Sequence, residues 1–181
     1  MLALRLRSLS RSFLAYVTGR NLAANDPSSA SSLLSRYAMN AGLFEILLVE
    51  DAEPDVFLVR EALETGGVKF NLRVLGDGEK AVDFIDEIDR DAGACPHLLL
   101  LDLNLPKKSG AQVLEHLRQS QRWRSVPVVV LTSSDSPRDK EQTAQLGATR
   151  YFRKPSRLAE FMKLGEIVRD LLVRESSSAS T

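Results

Sequence analysis

The sequence has few cysteines and histidines, the residues that disulfides and most zinc sites require. It contains one cysteine, Cys95, and two histidines in 181 residues. A single cysteine excludes an internal disulfide, and the set is too small for a zinc site built from histidine and cysteine. No apolar run approaches the roughly 20 residues of a membrane-spanning helix, because the leucine run at 98–101 stops at Asp102. We therefore expect a protein of a reducing compartment, the cytoplasm, with no membrane partner.

Net charge is also absent, since 24 basic side chains balance 24 acidic ones. The charges are unevenly distributed, because residues 1–40 carry a net charge of +4 and the remaining 141 residues carry −4. A mildly acidic body argues against nucleic acid as the main partner. No helix-turn-helix segment follows residue 174. We therefore expect no direct DNA binding and an output that works through protein contacts.

Residues 1–42 predict an N-terminal extension that is disordered or partly helical. Residues 18–42 are rich in serine, alanine, asparagine and glycine, which is typical of a linker. Residues 2–17 place apolar side chains at helical spacing, opposite Arg7 and Arg11. This arginine-rich, acid-poor composition is also typical of a transit peptide or a membrane-surface helix. A plain upstream extension with a misplaced start is the third interpretation, because Met39 lies shortly before the first strand and could be a natural beginning.

Strand and helix patterns alternate five times from residue 43 onward. The predicted strands are 43–49, 69–75, 97–103, 126–132 and 148–154. The predicted helices run from Pro54 to Gly66-Gly67, with Phe57 in the apolar stripe, and then over 79–90, 109–121, 136–147 and 157–173. Such alternation predicts an α/β domain, a parallel sheet with helices on both faces, over residues 43–174. A polar tail is expected at 175–181.

Polar side chains end four of the five predicted strands. Glu50 and Asp51 follow the first strand, Asp102 the third, Thr132 the fourth and Lys154 the fifth. The carboxyl ends of parallel strands meet at one edge of the sheet, which is where ligands bind in such folds. We therefore expect three carboxylates, a hydroxyl and an ammonium group to converge there.

This set of groups is suited to phosphoryl transfer. Three clustered carboxylates repel one another unless a cation lies between them, and Mg²⁺ binds carboxylates together with water and phosphate oxygens. A lysine and a hydroxyl add further contacts for a phosphate. The pattern predicts an aspartyl phosphate with Asp102 as the nucleophile. Each motif alone has a plain interpretation as a turn, a strand end or a loop dipeptide, so the prediction depends on their joint occurrence.

Four sequence blocks occur in an order and spacing typical of one known family. They are ILLVEDAEPDVFLVREAL, HLLLLDLNLPKKSGAQVLEHLR, VPVVVLTSS and LGATRYFRKP. Residues 44 to about 172 thereby resemble the receiver domain of two-component response regulators. LDLNLP, PVVVLTSS and the insert before the third strand are most similar to stand-alone regulators that partner phytochrome-type histidine kinases. The resemblance implies a flavodoxin-like, or CheY-like, doubly wound sheet with strand order 2-1-3-4-5.

The resemblance also implies the chemistry of phosphorylation. Asp102 would accept a phosphoryl group from a kinase histidine. Asp51 would bind Mg²⁺ directly and Glu50 largely through water, with the backbone carbonyl of Asn104 as a further ligand. Lys154 would pair with the phosphoryl oxygens.

Three further residues would act in switching, according to the same resemblance. Thr132 would hydrogen-bond the phosphoryl group and move toward it, and Tyr151 would move inward as the aromatic switch. Pro155 would follow a cis peptide bond. A phosphoryl group adds about two negative charges at one point, which would bias a two-state equilibrium of the neighbouring elements.

The alternatives differ in chemistry. An aspartyl phosphatase would need a general acid at Asn104, and a nucleotide-binding module would need a glycine-rich motif that this sequence lacks. A phosphate-independent interaction domain with the receiver fold stays open. We expect no enzyme activity beyond the protein's own phosphorylation and dephosphorylation. The expected partners are a sensor histidine kinase, a downstream or relay protein, and a second copy bound through the last helix, unless Phe161, Leu164 and Val168 pack in the core.

Overall fold

The computed structural model describes residues 43–178, and side chains as far as residue 174, as a five-stranded parallel sheet flanked by helices. The predictions for residues 1–42 and for the last three residues lie outside the described part of the chain. The strands are β1 Leu43–Val49, β2 Lys69–Leu75, β3 Leu98–Asp102, β4 Val128–Thr132 and β5 Arg150–Arg153. The helices are α1 Glu53–Thr65, α2 Gly78–Arg90, α3 Gly110–Gln119, α4 Pro137–Gln145, α5 Leu158–Phe161 and α6 Lys163–Ser178.

The strand order β2-β1-β3-β4-β5 and the parallel pairing confirm the predicted fold. β1 and β3 pair with Val49 opposite Leu101, and β3 and β4 pair with Asp102 opposite Leu131. The order reverses at β1 because the chain first adds β2 on one side and then β3 on the other. This switch point lies between β1 and β3, so the first and third strand ends are neighbours there.

The sheet separates two apolar cores, and successive side chains of each central strand enter opposite ones. Leu98 and Leu100 pack on the side of α1 and α6, whereas Leu99 and Leu101 pack on the side of α2 and α3. All residues of β3 and β4 are buried. The unalternating apolar runs in the sequence thus belong to strands covered on both faces.

The apolar side chains of the last predicted helix could either pack in the core or contact a second copy, and the structure decides between these alternatives. Phe161, Leu164 and Val168 are 2%, 0% and 0% exposed and belong to the core on the α1 side. They pack against the sheet and against α1. These three side chains are therefore not available for a contact with a second copy.

Three details of the predicted helices and strands are wrong. The last helix is broken at Met162, where the Gly165 amide donates to the Met162 carbonyl in a tighter, 3₁₀-type turn. It also continues to Ser178, four residues into the predicted tail, because each residue added to a packed helix gains a backbone hydrogen bond. Phe57 is 60% exposed, since the buried stripe of α1 runs along Val59, Ala62 and Leu63 instead.

The remaining differences move element ends by one to two residues. β4 begins after Pro127, which has no amide hydrogen to contribute to the sheet. α3 begins after Ser109, whose hydroxyl accepts from the Gln112 amide as a helix cap. Among the helices of residues 43–178, none has the length and apolar character that a membrane span requires.

Candidate functional site

The carboxyl edge of the sheet brings together the polar residues that end its strands. Glu50 follows β1, Asp102 ends β3 and Thr132 ends β4. All three are nearly closed to solvent, with exposed fractions of 2%, 5% and 0%. Buried polar groups need partners because their desolvation is otherwise costly. The partners of these groups define the site.

Lys154 is the central partner of the buried carboxylates. Its Nζ donates to Glu50 Oε2 at 2.7 Å, to Asp55 Oδ2 at 2.7 Å and to Asp102 Oδ2 at 2.8 Å. Its side chain is 8% exposed. An ammonium group has three donors, so all of them are used. Lys154 thereby links the β5–α5 connection to β1, α1 and β3.

The pKa values at this site reflect burial and pairing. Burial alone would lower the pKa of Lys154, but hydrogen bonds to Asp102, Asp55 and Glu50 outweigh it and raise that pKa. Burial raises the pKa of Glu50, and the hydrogen bond and charge of Lys154 offset only part of that rise. The raised pKa of Lys154 favours its charged ammonium form, which the three carboxylates require as a donor.

Three carboxylates form a possible metal site beside the lysine. One oxygen from each of Glu50, Asp51 and Asp102 lies within 4.8 Å of the others. Glu50 and Asp102 are buried and Asp51 is exposed, so the cluster opens to solvent on one side. Hard divalent cations such as Mg²⁺ prefer oxygen ligands of this kind and retain several waters. The donor set fits such an ion, because one lysine does not balance the charge of three carboxylates.

The loop after β3 supports Asp102 through its backbone. The Asn104 amide donates to Asp102 Oδ1 at 3.0 Å, while Oδ2 accepts from Lys154. Both carboxylate oxygens are thus oriented by hydrogen bonds. Gly110 permits this arrangement, because a Cβ there would lie 2.0 Å from the Asp102 carbonyl oxygen.

Thr132 and Tyr151 are connected through Ser134. Thr132 Oγ1 accepts from the Ser134 amide at 3.0 Å, and the Tyr151 hydroxyl donates to the Ser134 carbonyl at 3.0 Å. The Ser134 hydroxyl donates to Asp139 of α4 at 2.6 Å. The loop after β4 therefore ties the buried threonine to the aromatic side chain of β5 and to the next helix.

Sequence reasoning missed Asp55 and Ser134. Asp55 lies in the first turn of α1, directly after the strand end that carries Glu50 and Asp51. An acid in the first turn is ordinarily explained by the helix dipole and does not by itself indicate a site. Its position on the same sheet edge was the available signal. For Ser134 the signal was its place two residues beyond Thr132.

The prediction of a cis peptide bond before Pro155 is wrong for this structure. All peptide bonds of the described residues are trans, including the one that joins Lys154 to Pro155. The preference between the two forms of such a bond is only about 0.5–1 kcal/mol. The surrounding structure therefore decides the form, and a dipeptide in the sequence does not.

The chain is similar to known proteins over the region that carries this site. A family model described as the response regulator receiver domain matches residues 46–165. The response regulator Rcp1 of Synechocystis sp. is 38% identical over 120 residues, which cover 66% of this chain and 82% of Rcp1.

Solved structures agree with that similarity. The phosphorylated cyanobacterial phytochrome response regulator RcpA superposes with a TM-score of 0.64 at 31% identity, covering 72% of this chain and 94% of RcpA. The Mn²⁺-bound form of Rcp1 superposes with a TM-score of 0.63 at 36% identity, covering 70% of this chain and 92% of that structure.

Proposed function

The chain belongs to the response regulator receiver domain family of two-component systems, and from this premise we propose that it accepts a phosphoryl group on Asp102 in the presence of Mg²⁺. The donor is a histidine kinase, and the phosphorylated domain, residues 43–174, signals through protein contacts. The phosphorus–nitrogen bond of the phosphohistidine breaks as an Asp102 oxygen forms a bond to phosphorus.

One observation carries this proposal. Asp102 belongs to the carboxylate cluster and at the same time accepts from Lys154 at 2.8 Å. A nucleophilic carboxylate for phosphoryl transfer needs positive charge on both sides of the incoming group. Lys154 supplies one positive charge. A divalent cation on Glu50, Asp51 and Asp102 would supply the other, with the Asn104 carbonyl as an additional ligand.

Thr132 and Tyr151 are proposed as the switch. Thr132 donates its hydroxyl hydrogen to a phosphoryl oxygen, while its Oγ1 accepts from the Ser134 amide at 3.0 Å in this structure. Tyr151 is held by the Ser134 carbonyl at 3.0 Å. Movement of the loop at Ser134 therefore frees both side chains together, and this supports an inward movement of Tyr151.

The proposed kinase is of the phytochrome type. The support is that RcpA is a phytochrome response regulator and that a bacteriophytochrome response regulator, RtBRR, is 36% identical to this chain. The proposed output is a contact with a downstream or relay protein, or with a second copy. Because Phe161, Leu164 and Val168 are buried, a contact through the last helix would use its solvent-facing side.

The test is phosphorylation by a small-molecule phosphodonor with and without Mg²⁺. The wild type, Asp102→Asn and Asp86→Asn are compared by intact mass and by size-exclusion chromatography. Asp86 is a matched control because its carboxylate is half-exposed and lies away from the site. It belongs to α2 and pairs with His116 of α3. We expect one phosphoryl group on the wild type and on Asp86→Asn, only with Mg²⁺, and none on Asp102→Asn.

The other outcomes are equally informative. Equal labelling of Asp102→Asn would place the acceptor elsewhere and refute the proposal. A lack of labelling by both the phosphodonor and a phytochrome-type kinase would favour the phosphate-independent interaction domain. A change in size that accompanies labelling would identify self-association as the output.

A further inference from the structure

Of the three carboxylates that accept hydrogen bonds from Lys154, only two also belong to the possible metal site. Glu50 and Asp102 also belong to the cluster that fits a divalent cation. Asp55 does not, yet it accepts from Lys154 Nζ at 2.7 Å, as closely as Glu50 does. Asp55 is therefore a partner of the lysine alone.

The lysine has no donor left for a phosphoryl group. Its three donors point to three carboxylates, and its side chain is 8% exposed. A phosphoryl oxygen can gain a hydrogen bond from Lys154 only if one of these carboxylates gives it up. Glu50 and Asp102 can exchange the lysine for the cation as their partner. Asp55 is not part of the cation cluster, so no cation can replace Lys154 as its partner and its hydrogen bond to the ammonium group persists.

We propose that Asp55 is a positioning residue that competes with the phosphoryl group for Lys154. The inference rests on the proposed function, because it requires Asp102 to be the acceptor. By retaining the lysine, Asp55 weakens the phosphorylated state and favours the unphosphorylated one. The negative charge of Asp55 acts in the same direction, because it repels the incoming anion.

The position of Asp55 allows this role to be separated from a structural one. Its side chain is 28% exposed and lies in the first turn of α1, which also contains Glu53. Removal of Asp55 leaves Lys154 paired with two buried carboxylates. The ammonium group is therefore not left buried without a partner when Asp55 is removed. Glu53→Gln removes the same charge from the same turn, and the structure shows no contact between Glu53 and Lys154.

The experiment measures the affinity for beryllofluoride, a tetrahedral anion that mimics a phosphoryl group on a carboxylate. Wild type, Asp55→Asn, Asp55→Ala and Glu53→Gln are titrated at saturating Mg²⁺ and followed by fluorine NMR. We expect Asp55→Ala to bind on the order of tenfold more tightly than wild type, as a lost charge-assisted hydrogen bond implies. Asp55→Asn, which keeps one acceptor oxygen, should lie between them, and Glu53→Gln should match wild type.

Two controls separate competition from other effects. Salt screens interactions between exposed charges, so an effect of direct competition persists at high ionic strength. Urea unfolding of the metal-free variants measures any structural contribution. Tighter binding with little change in stability supports the proposal.

The contrary results are distinct. If wild type binds beryllofluoride and Asp55→Ala binds it equally or more weakly, the role of Asp55 is refuted and the proposed function stands. If Glu53→Gln binds as tightly as Asp55→Ala, general electrostatics replaces competition. If wild type fails to bind with Mg²⁺ present, the proposed function and this inference both fail.

Discussion

At the scale of single residues, Trp123 carries a buried indole N–H that has no acceptor among residues 43–178. The side chain is 0% exposed and meets Phe84 edge-on at 6.0 Å. A buried donor without a partner costs about 1–3 kcal/mol. The side chain of Trp123 thus contributes through packing and not through a hydrogen bond.

Trp123→Phe is therefore expected to be mild. The lost packing is partly offset by removal of the unpaired donor, so we expect a loss of about 1 kcal/mol, against about 3–5 kcal/mol for Trp123→Ala. Urea unfolding of both variants measures the difference. A loss for Trp123→Phe as large as that for Trp123→Ala would show that the indole N–H has a partner.

His97 connects the starts of β1 and β3. Its Nδ1 accepts from the Glu45 amide at 2.9 Å, and its own amide donates to the Glu45 carbonyl at 2.8 Å. Burial lowers the pKa of His97, although the nearby Glu45 carboxylate raises it in part. The folded state therefore prefers the neutral ring, which can accept a hydrogen bond.

This preference predicts a dependence of stability on pH. As pH falls below the ordinary histidine pKa of about 6.5, the unfolded chain binds a proton before the folded one does, so stability decreases. The decrease ends below the lowered pKa of folded His97. Urea unfolding between about pH 7.5 and pH 5 should show a smaller decrease for His97→Gln than for wild type. Identical slopes would exclude His97 as the cause.

At the scale of elements, α1 and α6 meet through small residues. A Cβ on Gly165 would lie 1.9 Å from the Ala62 carbonyl oxygen and 3.0 Å from Gly66 Cα. Arg169 of α6 also donates to the Gly66 carbonyl at 3.2 Å. The helices are thus closer than any larger side chain at position 165 allows.

Gly165→Ala should therefore destabilise the protein, although alanine favours a helix more than glycine does by about 1 kcal/mol. Separating the helices costs about 1–3 kcal/mol beyond that gain, by analogy with overpacked cores. Gly76→Ala is the control, because a Cβ there meets nothing within 4 Å. A stabilised Gly165→Ala variant in chemical unfolding would mean that α6 moves away from α1 without cost.

At the scale of the whole molecule, we expect the carboxylate cluster to couple folding to divalent cations. A ligand that binds only the folded state stabilises it by about 2.7 kcal/mol at a hundredfold excess over its Kd. We expect saturating Mg²⁺ to raise the Tm of the wild type by several degrees. Scanning calorimetry should show most of this gain lost in Asp51→Asn, which removes the exposed ligand of the cluster.

The control for ionic strength is NaCl at the same ionic strength, which screens charge without occupying the cluster. An equal rise in Tm with NaCl would contradict a specific site. An undiminished rise in Asp51→Asn would place the cation on other groups.

The sequence by itself determined the fold and the place of the site. Continuous apolar runs such as 98–101 identify strands covered on both faces, and alternation with helices requires a parallel sheet. In such a sheet the strand ends share one edge, so Glu50, Asp102 and Thr132 had to be neighbours. These conclusions depend on local periodicity and chain connectivity, which a sequence contains directly.

The tertiary structure alone decided which groups touch. Asp55 and Lys154 are 99 residues apart, and they meet because the first turn of α1 and the loop after β5 lie at the same edge of the sheet. The break at Met162, the exposure of Phe57 and the trans bond before Pro155 were likewise evident only in the structure. The contact between Asp55 and Lys154 follows from distances of a few ångströms between separate elements, which no periodicity in the sequence encodes.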